Sequence, residues 1–72
     1  MRKSMLNTKL ENLNNETNGN FVLLYACNKV KLCEKANEHG GLDSTSDFMD
    51  NKEMGALLDT LFILARKHNI KI

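Results

Sequence analysis

Two cysteines, two histidines and one cluster of oxygen-bearing side chains are the residues here whose types could do chemistry. Cys27, Cys33, His39 and His68 are all zinc-ligand types. Their spacing matches no C-x-x-C pairing, so zinc is not expected. On one helix Cys27 and Cys33 would rise about 9 Å apart and point about 120° away from each other. That geometry rules out a disulfide between them on a helix, and both read as buried free thiols. Asp43, Thr45, Asp47 and Asn51 fall at ligand positions of a calcium loop. The loop's required glycine is replaced by Phe48, its apolar eighth position by Asp50 and its closing glutamate by Met54, so the site is rejected. No serine or cysteine sits near a histidine in a catalytic pattern, and there is no glycine-rich phosphate loop. The expectation is a non-enzyme with no catalytic, metal or cofactor-binding residue.

The elements that must position whatever remains are clearest at the C-terminal end. Asp50 is a good helix N-cap, and Glu53 stands three residues later, where it can complete a capping box. Met54, Leu57, Leu58, Leu61, Leu64 and Ala65 then recur in steps of three and four. Arg66, Lys67 and His68 complement the dipole in the last turn, with Asn69 and Ile70 placed to close it. This spacing predicts a helix over 50–69. His68 reads as a helix-end side chain bonded to a carbonyl. Ile63 stands alone in the polar arc, either as a lone exposed residue or as a contact point.

Residues 20–38 read as a second, central helix, capped by Asn20 and stopped at His39-Gly40-Gly41. Phe21 to Cys27 is apolar on every side, as in an element buried all round. The same run is also good strand material. Its continuation through Lys35 and Glu38 without a turn signal favours the helix. Lys29 is the misfit, since the helical wheel points it into the apolar arc. Residues 1–19 carry Leu6, Leu10 and Leu13 on a narrow stripe and read as a short helix or a partly ordered arm. Residues 42–49 read as a polar connection whose Phe48 either plugs the core or stays exposed as an anchor.

The 72 residues form one thin-cored domain, expected to be all-α: a three-helix or helical-hairpin unit, possible to complete by dimerisation. The two long helices should pair antiparallel through Val30/Cys33 and Leu57/Leu61. At 42% hydrophobic and 26% charged, the chain has neither a disordered nor a membrane-spanning composition. No apolar segment follows the basic start as a signal peptide requires, so the expected location is cytoplasmic. A net charge of +1 gives no strong attraction to nucleic acid or lipid. Ten asparagines suit an AT-rich coding sequence, as in phages of low-GC bacteria.

Together these features point to a protein-binding module, an inhibitor or adaptor from a phage or mobile element that occupies a site on a larger host protein. The expected contact residues are Lys29, Phe48, Asp59, Ile63 and Arg66. A small dimeric DNA-binding regulator is the alternative, on the helix-turn-helix spacing of Ala36 and Gly40 and the basic groups at Arg2-Lys3-Lys9 and Arg66-Lys67-Lys71. A self-assembling structural hairpin is the third class.

Overall fold

The computed structural model describes residues 4–35 and 41–72. The chain runs through helix α1 (Met5–Thr17), strands β1 (Phe21–Ala26), β2 (Lys29–Lys35) and β3 (Leu42–Ser44), and helix α2 (Asn51–His68). The strands form one antiparallel sheet in the order β1-β2-β3. The fold is therefore α+β, which overturns the all-α helical-bundle expectation.

The correction centres on residues 21–35, where a β-hairpin replaces most of the central helix expected over 20–38. Ala26 pairs with Lys29 across a two-residue turn, with Cys27 at φ 50° and Asn28 at φ 63°. Two left-handed residues in sequence make the turn whose twist matches a pair of strands. The helical wheel failed because steps of three and four and steps of two both fit this short stretch. Lys29 carried the discriminating signal: as a strand residue it simply points away from its neighbour Val30. Ala36, Glu38, His39 and Gly40, which include both helix-turn-helix positions and most of the expected helix stop, lie outside the described residues, as do Arg2 and Lys3.

Both helices lie on one face of the sheet. Val30 and Leu32 of β2 are 0% exposed and pack with Leu13, Met54 and Leu58, with Phe21, Leu23 and Met49 around them. Helix pairing is between α1 and α2, with Leu6 and Leu10 on one side and Leu57 and Leu61 on the other. The expected antiparallel pair of 20–38 with 50–69 is thus replaced by sheet-on-helix packing for Val30. Cys33 is buried but lies on the opposite side of β2 from the core cluster.

The ends of both helices are closed by local chemistry. Ser4 Oγ accepts from Asn7 N–H at 3.1 Å, and Asp50 Oδ1 accepts from Glu53 N–H at 2.8 Å. Asn18 and Asn69 take the left-handed C-cap conformation. Ile70 N–H then reaches Ala65 O at 2.9 Å, and Ile72 N–H donates to Thr17 O at 2.6 Å, tying the C-terminal residues to the end of α1. Lys71 Nζ donates to Glu16 O at the same place. Lys9 Nζ bridges to both Asp59 carboxylate oxygens, at 2.6 and 2.7 Å, across the α1–α2 seam.

Beyond β3 the chain keeps following β2. Thr45 and Ser46 N–H groups both donate to Leu32 O, and Met49 exchanges two 2.8 Å bonds with Val30. Between them lies a bulge. It directs Met49 to the core and Phe48 to the other side, where Lys31 Nζ stands 5.0 Å from the ring centroid.

Candidate functional site

A sheet with helices on one face leaves the other face to be accounted for. Alternation from the buried Val30 and Leu32 places Lys29, Lys31, Cys33 and Lys35 on that outer face. The register adds Val22 and Ser44 beside Cys33, Leu24 beside Lys31, and Leu42 beside Lys35. Among these, Leu24 is 39% exposed, Leu42 46% and Phe48 43%. Lys31 Nζ also donates to Ser44 Oγ at 2.9 Å, which holds it between that hydroxyl and the Phe48 ring.

The strand residues of this face carry one sign of charge. Its described strand residues include three lysines and no carboxylate, because Glu34 and Asp43 pair with each other on the helix side. Asp50 lies in the field of Lys29 at the edge of this region. Its pKa is lowered first by the hydrogen bond from Glu53 N–H and in smaller part by Lys29. The surface is thus an apolar patch studded with ammonium groups. It can bury apolar side chains and meet anions, and among the described residues it holds no nucleophile–base pair.

Two other surfaces are concave. A concavity of about 730 Å³ lies where α1 and α2 begin, lined in part by Met5, Tyr25, Gly55 and the Lys9–Asp59 pair. It is open, and of its charged groups Lys9 and Asp59 engage each other, leaving Lys52 at the rim. A tighter apolar crevice of about 190 Å³ lies at the opposite end among Leu13, Phe21, Leu64 and Ile72. Among the described residues no cluster of three metal-ligand side chains occurs. Cys27 is exposed on the hairpin turn, Cys33 is buried, and both are free thiols.

The structure divides the five expected contact residues between two surfaces. Lys29 and Phe48 lie on the outer sheet side. Asp59 is on α2 and engaged by Lys9, while Ile63 is 61% exposed on α2 and Arg66 lies 5.9 Å from the Phe62 ring centroid. No single partner surface gathers all five. Sequence reasoning missed Lys31, Lys35, Leu24 and Leu42, whose common face exists only once 21–35 is a hairpin. Strict alternation of Lys29, Lys31, Cys33 and Lys35 with Val30 and Leu32 was the signal that could have found them.

No protein-family model, curated protein or solved structure matches the chain. Among the described residues no helix is long and apolar enough to cross a membrane.

Proposed function

We propose that this protein is a non-enzymatic binding module whose outer sheet face docks an acidic, amphipathic segment of a larger protein. One observation carries the reading: Leu24, Leu42 and Phe48 stand exposed on a sheet face that carries Lys29, Lys31 and Lys35 and no strand carboxylate. Aromatic and aliphatic anchors ringed by like charges are the composition of a contact surface rather than of an ordinary solvated face. The protein would act as an inhibitor or adaptor by occupying a site. A cytoplasmic location goes with this reading, since both cysteines are free thiols and Cys27 is exposed.

The test is a pull-down from host lysate with the wild type beside Phe48→Asp and Lys31→Glu, each checked for native far-UV circular dichroism. The wild type should retain a protein that both variants lose. An identical retained set would remove the outer face from the interaction. Retention of nucleic acid instead, released by salt with a slope proportional to phosphate contacts, would favour the DNA-regulator alternative.

A further inference from the structure

We infer that β1 is the pairing edge of a symmetric homodimer in which two copies join β1 to β1 antiparallel about a twofold axis at Leu24. The inference rests on the backbone edge of the sheet and not on the reading of its outer face, with which it shares only Leu24. β1 is an edge strand with β2 on one side only. In a two-residue hairpin Ala26, Leu24 and Val22 direct their backbone groups toward β2. The bond from Lys35 N–H to Asn20 O at 3.1 Å continues that alternation. Phe21, Leu23 and Tyr25 therefore direct theirs outward.

The outward groups of Phe21 are already taken. Asn14 of α1 places its side-chain amide against them like one more peptide: Oδ1 accepts from Phe21 N–H at 2.8 Å and Nδ2 donates to Phe21 O at 3.0 Å. Leu23 and Tyr25 have no such partner among the described residues. Among the described residues, two N–H and two C=O groups thus remain open in the middle of an uncharged strand, Phe-Val-Leu-Leu-Tyr-Ala. The common protections of an edge, an inward charge, a proline or a bulge, are missing from it.

These four groups are self-complementary. With Leu24 on the axis, Leu23 of each copy exchanges both bonds with Tyr25 of the other, so all eight open groups of the pair close in four hydrogen bonds. The next outward pair in that register would be Phe21 with Cys27 of the second copy. Cys27 is in the turn, and Phe21 is already satisfied by Asn14. The Asn14 clamp ends the ladder where the second copy turns away, so it costs this occupant nothing, whereas it would stop a longer foreign strand. On the outer face Leu24 meets Leu24, flanked by Val22 against Ala26, with no like charges opposed. Tyr25, 55% exposed, gains a neighbour. The product is one six-stranded sheet that carries two copies of the lysine-bearing face.

The decisive experiment is a charge swap at Leu24, read by light scattering on a size-exclusion column. Wild type should approach twice 8.2 kDa as concentration rises. Leu24→Lys and Leu24→Glu, each verified by circular dichroism, should stay monomeric alone and form a heterodimer when mixed. In the wild type, amide exchange at Leu23 and Tyr25 should slow by about tenfold or more on dimerisation, while already-bonded Leu24 changes little. A wild type that stays monomeric to about 1 mM, a mixture that stays monomeric, or a dimer with unprotected Leu23 and Tyr25 would each overturn the proposal.

Discussion

The two faces of β2 are one residue apart and do opposite work. Val30 and Leu32 face the helices and are 0% exposed. Lys31 and Lys35, one step along, face away, with Phe48 brought to Lys31 by the bulge that follows β3. A substitution on this strand is therefore read by its parity before its chemistry. On one parity it breaks the fold, and on the other, at Lys29, Lys31 and Lys35 though not at the buried Cys33, it changes what the surface can hold. Deleting a methylene from a closed layer leaves a cavity, whereas an open layer simply re-solvates.

The largest effect expected of that contrast is at Leu32. Leu32→Ala should cost about 2–5 kcal/mol, whereas Phe48→Ser should cost within about 0.5 kcal/mol, as exposed positions do. Urea unfolding of the two variants measures the gap directly. Equal losses would mean that the outer face is covered and the contrast is false.

A mid-sized effect should come from Gly19, where the chain passes from α1 to the sheet. A Cβ there would meet the Phe21 ring at 2.8 Å and Thr17 Oγ1 at 2.9 Å. Thr17 is buried, its hydroxyl donating to Leu13 O at 2.8 Å and accepting from Gly19 N–H at 3.1 Å. Gly19→Ala should therefore destabilise by about 1–3 kcal/mol as an overpacked site. Gly55 on α2 is the control within the same helix-covered side. Its Cβ would find Leu6 Cδ2 at 3.7 Å, ordinary contact, so Gly55→Ala should stabilise by about 0.5–1 kcal/mol through helix propensity. Thermal melts that moved the two variants the same way would show that local space does not set the sign.

How much of this could be read beforehand follows the same division. Helix α2 was legible because cap, stripe and C-terminal turn agree over eighteen residues, enough cycles to exclude any other period. The hairpin was not, because its turn, Cys27-Asn28, carries no glycine and two left-handed residues of those types are unusual. A seven-residue strand offers too few repeats to separate a period of two from one of 3.6. The outer-face patch inherited that failure. Lys29 and Phe48 could be picked out as odd residues, but Lys31 and Leu24 became neighbours only through pairing between strands. The turn also yields a test. Cys27→Asn with Asn28→Gly should stabilise the hairpin by up to about 1 kcal/mol, since both residues then suit positive φ. A loss of stability would show that the left-handed turn does not form.

The smallest effect lies at Asp50, between the two faces. Its carboxylate accepts from Glu53 N–H at 2.8 Å, and that bond holds its pKa below the ordinary 3.8, assisted by Lys29. Folding favours the ionised form, so the contribution is full above the unfolded value and is lost as pH falls through the folded one. Asn at this position still caps a helix but does not titrate. Asp50→Asn should therefore match the wild type closely at neutral pH and lose slightly less stability on acidification below the carboxylate range. Thermal melts of both proteins over a pH series isolate the difference, because every other carboxylate is common to the two curves. Parallel curves at every pH would mean that the Asp50 charge adds nothing to the cap, and that Lys29 stands free on the outer face for a partner's carboxylate.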